Sequence, residues 1–318
     1  MRLTEDELKQ GLLEILCEFD SVCRKLGLRY SLYAGTLLGA VRHQGFIPWD
    51  DDIDVMMPRP DYERLLTSEE AFSSPFELAF SGKGGYMYPF AKLFDLRIRA
   101  QEQSLEGIYS ENLWIDIFPV DGLASKESER LSDWKLSWSV CRRANILYHN
   151  PHCLVGAKGA VKRLYRAVKL PFATPGELYS RIDQIARKHT FEDSEYAGQL
   201  VWMPVFSTGW TRASDFDHLI EISFEGKKFP LQYRIGMNSY RTPSVIMRAF
   251  PLWRSANSWD YCMAFVDGLY CMETKKKMEL NMKAVILAAG RGSRLGKYTD
   301  DKPKCLIEIG EKLSLIAN

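Results

Sequence analysis

Apolar side chains over the first 26 residues recur at helical spacing: Leu8, Leu12, Ile15, Leu16, Phe19, Val22, Cys23 and Leu26. That stripe predicts an amphipathic helix over about residues 4–26. Thr4 and Glu7 stand at capping-box spacing ahead of it, and Gly27 is placed to end it. The period then shortens. Residues 28–33 read as a strand, 36–41 as a short helix and 52–57 as a strand of alternating polarity. A helix over 61–66 follows two prolines, residues 86–94 and 97–103 read as a strand pair, and 113–118 as a further strand. Residues 125–148, 155–169 and 176–189 read as helices, with Ser125 placed to cap the first, and 198–206 as a last strand. The sum is an α+β fold: a mixed sheet flanked by helices, with a helical insertion from about 125 to 190.

Within this pattern one stretch carries chemistry: Ala34-Gly-Thr-Leu-Leu-Gly-Ala-Val-Arg-His-Gln-Gly-Phe-Ile-Pro-Trp-Asp-Asp-Asp-Ile-Asp-Val55. On a strand, Asp52 and Asp54 project from one face while Ile53 and Val55 enter the core. Two carboxylates that close repel unless a cation sits between them. Hard oxygen ligands suit Mg²⁺ or Mn²⁺, which in turn hold phosphate oxygens. Gly35 and Thr36 stand at the start of the 36–41 helix, ahead of the acidic run, and offer backbone N–H groups to a phosphate. Asp116, flanked by apolar residues in the 113–118 strand, is the third carboxylate expected at this metal site; Asp121 reads as a turn residue. A solvated or calcium-binding loop is the alternative, but the EF-hand pattern of a mid-loop Gly and closing Glu is absent.

The stretch 33–55 resembles the signature of the LicD family of phosphotransferases, and the likeness resumes at Leu113-Trp-Ile-Asp-Ile-Phe-Pro-Val-Asp-Gly122 and Phe224-Glu-Gly-Lys-Lys-Phe-Pro230. It spans about residues 5–230. The resemblance implies a nucleotidyltransferase fold of the polymerase beta type, shared with the fukutin-related ribitol-phosphate transferases. It implies transfer of phosphocholine, or a similar phospho-alcohol, from a CDP-activated donor such as CDP-choline to a sugar hydroxyl of a surface glycan, lipopolysaccharide or teichoic acid. In that reading Asp52, Asp54 and Asp116 hold Mg²⁺ (or Mn²⁺), Gly35 and Thr36 bind donor phosphate, and Arg42 and Lys92 offset charge on the leaving CMP. His43 stands as a base or as a donor to backbone, and Trp49 as packing for the loop. The rival chemistry within the same fold moves NMP from an NTP to a small molecule or protein. A rival of another class is an inactive, membrane-associated remnant.

Composition bounds these readings. With 318 residues, 46% of them hydrophobic, there is material for a packed core, and a net charge of +1 gives no global pull toward nucleic acid. Seven cysteines without a C-x-x-C pair fit a reducing compartment. Cys141, His149, His152 and Cys153 have zinc-ligand chemistry but match no common zinc spacing. A polar, acidic start and the lack of an 18-residue apolar run predict a cytoplasmic protein. From Arg142 to Gly176 there is no acidic residue, while seven cations interleave with apolar side chains. Such a segment suits the inner surface of the cell membrane or a polyanionic acceptor, and a plain solvated face is the alternative.

After Pro230 the pattern changes. Residues 231–240 and 243–248 carry no clear hydrophobic period. Read with each codon starting at the third base of the residue written, they can encode Pro-Val-Pro-Asp-Trp-Asp-Glu-Phe-Leu and Phe-Gly-Asp-Tyr-Ala, where the family has a Pro-containing turn and a Gly-Asp-Tyr motif. Residues 231–281 are therefore expected to be a frame-shifted tail, with a divergent helix pair as the alternative. Met282-Lys-Ala-Val-Ile-Leu-Ala-Ala-Gly-Arg-Gly-Ser-Arg-Leu-Gly296, with Lys302-Pro-Lys-Cys-Leu306, resembles the opening of a sugar-nucleotide pyrophosphorylase or choline-phosphate cytidylyltransferase. The resemblance puts Gly290, Gly292, Arg294 and Lys304 at a nucleotide's phosphates. At 37 residues, 282–318 is too short to bury a core.

Overall fold

The computed structural model describes residues 3–83, 86, 88–100, 111–148, 156–169, 175–202, 210–232, 308–309 and 313–314. The chain divides into two compact units, Met1–Ala249 and Phe250–Asn318. In the second, the described residues are one antiparallel pair, Glu308–Ile309 with Leu313–Ser314. Gly290, Gly292, Arg294 and Lys304, and the stretch 233–281, lie outside the described residues, as do His149, His152 and Cys153 of the zinc-like set.

The first helix, α1 (Glu5–Leu26), forms as its stripe requires. Thr4 and Glu7 close a reciprocal capping box, and Gly27 ends the helix at φ 61°, a left-handed conformation that favours glycine. Leu12, Ile15, Leu16, Phe19, Val22 and Cys23 are buried against one face of the sheet. The strands are β1 (Ser31–Leu32), β2 (Asp54–Pro58), β3 (Phe76–Ala79), β4 (Ala91–Ala100), β5 (Glu111–Leu123), β6 (Tyr196–Gly198) and β7 (Trp210–Arg212). Their order is β1-β2-β5-β4-β3, with β6 continuing from the end of β5 and β7 beyond it. Only β2 and β5 run parallel; the other described pairs are antiparallel, so the sheet is mixed.

Alternation along β2 and β5 sorts side chains to two cores. Val55, Met57, Ile115 and Ile117 join α1, while Met56, Phe118 and Val120 face the helices α4 (Glu127–Tyr148) and α6 (Pro175–Ala186) on the other side. The helix α5 (Gly156–Lys169) lies between these two in sequence. Two further helices, α2 (Ala34–His43) and α3 (Arg59–Leu66), flank β2, and a separate hairpin joins β8 (Leu219–Phe224) to β9 (Lys227–Gln232).

Several expectations need correction. Residues 91–100 form one strand with an irregularity between Asp95 and Arg99, where the sequence suggested two strands. The strand expected to end at 118 continues to Leu123, so Asp121 is not a turn residue. Its buried carboxylate receives Nε of Arg59 at 2.6 Å and the second guanidinium nitrogen at 2.8 Å. Burial pushes the Asp121 carboxyl up, and Arg59 is the main opposing influence. No local pattern marks a strand residue whose partner lies 62 positions away. The last strand before the expected tail, β9, ends at Gln232 and belongs to the core. Leu231 is buried in the core, and Gln232 donates its backbone N–H to the Ser31 hydroxyl at 3.0 Å.

Candidate active site

Parallel pairing sets Asp54 of β2 directly opposite Asp116 of β5, and antiparallel pairing sets Lys92 of β4 opposite Asp116 on its other side. Register partners on neighbouring strands lie about 5 Å apart and share a sheet face. Lys92, Asp116 and Asp54 therefore form one row across three strands. The main chain at Asp54 is held from two sides. Its N–H donates to the Thr36 hydroxyl at 2.9 Å, and its carbonyl accepts from the Tyr33 N–H at 2.9 Å.

The Asp54 side chain is 1% exposed, and among the described residues neither of its carboxylate oxygens has a hydrogen-bond partner. Burial pushes its carboxyl well above the usual range, and the fields of Asp52, Asp116 and Asp50 add to the shift. An unsatisfied buried carboxylate costs several kcal/mol unless a proton or a cation neutralises it. Asp50, Asp51 and Asp52 gather beside it, each with an oxygen within 4.8 Å of the others. The expected strand pair Asp52/Asp54 is thus corrected in part: β2 starts at Asp54, and Asp52 sits in the irregular run before it. The donor set is all hard oxygen, one member is orphaned and buried, and it fits a divalent cation such as Mg²⁺ or Mn²⁺.

The helix expected over 36–41 is longer and opens earlier. The helix α2 starts at Ala34, whose φ is 47°, with Tyr33 as an N-cap whose side chain does not cap the helix. Thr36 is buried and its hydroxyl supports Asp54. A Cβ on Gly35 would lie 2.6 Å from Oδ2 of Asp50, so glycine there lets the acidic run close on the helix start. Arg42 is exposed in the last turn of α2, about 9 Å of helix rise beyond Thr36. Lys92 is buried and committed: its ammonium lies 2.8 and 3.1 Å from the oxygens of Glu111, 4.0 Å from Asp116, and 3.9 Å from the ring centres of both Tyr88 and Trp114. Its ammonium thus faces two carboxylates of β5, Glu111 and Asp116.

Glu225 is a residue that sequence reasoning missed. It forms the tip of the β8–β9 hairpin with Gly226, at φ 48° and 73°. Its carboxylate accepts from the Phe46 N–H at 2.9 Å, and its N–H donates to the Gln44 carbonyl at 2.8 Å. The hairpin thereby clamps the connection from α2 to the acidic run, where Gly45 has no room for a Cβ against the Glu225 carboxylate. The Phe-Glu-Gly-Lys-Lys-Phe-Pro string signalled importance but not this partner. Glu225→Ala should cost about 1–2 kcal/mol of stability and lower kcat by about tenfold, with KM for the donor less affected. Unchanged kcat would show that the clamp does not position the site.

Comparison with known proteins gives this geometry its context. Residues 27–139 match the family model LicD/FKTN/FKRP, nucleotidyltransferase domain. Over 257 residues the chain is 30% identical to the lipopolysaccharide cholinephosphotransferase LicD of Haemophilus influenzae (strain ATCC 51907 / DSM 11121 / KW20 / Rd), covering 75% of this chain and 88% of that protein. The chain belongs to the LicD family. It is accordingly a phosphotransferase enzyme with an α+β fold. Shorter matches, 42% identical over 51 residues, join it to uncharacterized proteins of Rickettsia prowazekii (strain Madrid E) and Rickettsia typhi (strain ATCC VR-144 / Wilmington). They cover 16% of this chain in each case, and 19% and 16% of those proteins. The matched span 27–139 takes in α2, the acidic run, β2, β4 and β5, the elements that assemble the carboxylates.

Proposed function

We propose that this LicD family protein transfers phosphocholine, or a related phospho-alcohol, from a CDP-activated donor to a sugar hydroxyl of a cell-surface glycan. The observation that carries the reading is the buried Asp54 carboxylate, without a hydrogen-bond partner among the described residues and in register with Asp116. The kinship with a lipopolysaccharide cholinephosphotransferase supports the donor and acceptor classes.

In this reading Asp52, Asp54 and Asp116 hold Mg²⁺ or Mn²⁺, with Asp50 and Asp51 adding negative charge beside Asp52. The cation supplies charge neutralisation for the donor's diphosphate when bound. The sugar hydroxyl oxygen attacks the phosphorus of the transferred group, its bond to the CMP oxygen breaks, and the hydroxyl proton passes to solvent. Thr36 and Tyr33 keep the Asp54 backbone fixed during this exchange, because both bonds are to main-chain atoms. Glu225 keeps the acidic run in place.

Product analysis tests the reading. Purified protein, Mg²⁺, CDP-choline and a deacylated lipopolysaccharide acceptor should release CMP and label the glycan. Pyrophosphate released from CTP or another NTP, with no CMP from CDP-choline, would establish the nucleotidyltransferase reading instead.

A further inference from the structure

Among the described residues, Val161, Leu164 and Val168 are 69%, 68% and 55% exposed, and all three lie on α5. With Ala160 and Ala167, which are exposed too, they occupy positions i, i+1, i+4, i+7 and i+8, a single helix face. A helix that packs on its own protein ordinarily turns that stripe inward. Here the polar side turns inward instead. Tyr165 packs against the core beside α4 and α6, and the Arg166 guanidinium donates to the Leu147 carbonyl at the end of α4.

The cations complete the pattern. Arg163 borders the apolar face, and Lys162 and Lys169 lie behind it on the helix. From Arg142 to Gly176 the chain has seven cations and no acidic residue. Two copies meeting through this face would bring like charges together, whereas anionic lipid headgroups complement it. The helix spans about 21 Å at 1.5 Å per residue, enough to lie along a bilayer surface. No described helix is long and apolar enough to cross one.

We propose that α5 docks this protein on anionic lipid bilayers. Val161, Leu164 and Val168 enter the headgroup–acyl boundary, and the exposed Arg163 and Lys169 reach lipid phosphates with their long stems. The inference stands apart from the catalytic reading, because no α5 residue is among those assigned to the site.

Flotation of the full-length protein with vesicles tests it. Binding to phosphatidylcholine/phosphatidylglycerol vesicles should be at least about tenfold tighter than to pure phosphatidylcholine, and should weaken with added salt. The variant Val161→Ser/Leu164→Ser/Val168→Ser should lose binding while its thermal midpoint is unchanged, since these side chains already face water. Arg163→Glu/Lys169→Glu should weaken binding at least about tenfold. Arg166 is left in place because it holds α5 to α4. Equal binding to both vesicle types, no binding to the anionic ones, or self-association in the ultracentrifuge that the serine variant abolishes would each overturn the proposal.

Discussion

Asp54→Asn is expected to lower phosphoryl transfer by at least about 10³-fold, the scale of removing a major electrostatic element from a site. The same substitution should leave the thermal midpoint of the metal-free protein equal to or above that of the wild type. The reason is the environment of the carboxylate: 1% exposed, without a hydrogen-bond partner among the described residues, and repelled by Asp52, Asp116 and Asp50. Loss of activity without loss of stability separates a residue that serves chemistry from one that serves packing. Asp52→Asn and Asp116→Asn should approach the same loss of activity. Near-normal turnover of Asp54→Asn with Mg²⁺ would remove this carboxylate from the reaction.

The pH dependence follows with a definite sign. The carboxyl of Asp54 is held above its ordinary range in the fold, so its contribution to stability is complete below the unfolded value. That contribution is lost as pH rises through the folded value. Metal-free wild type should therefore weaken from mildly acidic toward neutral pH, and Asp54→Asn should weaken less. A divalent cation should return the loss, by about 2.7 kcal/mol at a hundred times its Kd, and should do so for wild type but not for Asp54→Asn. Differential scanning with and without Mg²⁺ across this range reads both effects.

Lys92→Met should destabilise the fold by about 3–5 kcal/mol, the cost of breaking a buried ion pair from one side. The substitution removes the cation that Glu111 faces at 2.8 Å and that lies 3.9 Å from the ring centres of Tyr88 and Trp114. Adding Glu111→Leu should recover most of that stability, because an apolar pair of similar volume avoids the desolvation of both charges. Urea unfolding of the single and double variants measures the coupling. Activity of the double variant then distinguishes two roles for Lys92. Restored turnover assigns it to charge balance under Asp116, 4.0 Å away; a stable but inactive double variant places its ammonium on the substrate.

Elements whose signal is local were readable before the fold was known. The α1 capping box, its stripe and its Gly27 stop all involve residues within a few positions of one another. The alternation of Ile53, Asp54, Val55 and Met56 placed carboxylate and core on opposite faces, and the burial of Ile53 and Val55 agrees. The acidic run gave the chemistry because three adjacent aspartates and a fourth cannot be neutral toward one another. Boundaries were less legible. The sequence could not show that β2 begins only at Asp54, since strand ends depend on which neighbour offers a ladder, here Ser31–Leu32 and β5.

What tertiary structure alone decided are the partners far apart in sequence. Pairing of Asp54 with Asp116 requires that β2 and β5 run parallel in one register, a choice made by the whole sheet and by the cores on its two faces. Asp121 with Arg59, Lys92 with Glu111 and Glu225 with Phe46 are likewise contacts across 62, 19 and 179 positions, invisible to any local period. The basic amphipathic character of α5 was written in its spacing, but spacing is symmetric with respect to inside and outside. The contacts of Tyr165 with the core and of Arg166 with the end of α4 turn Val161, Leu164 and Val168 to solvent. Local physics therefore determined what each segment can be and which chemistry it can offer. Long-range packing determined which charges meet, opposite ones at Asp121 and Arg59 and like ones at Asp54 and Asp116, because burial makes each such meeting count.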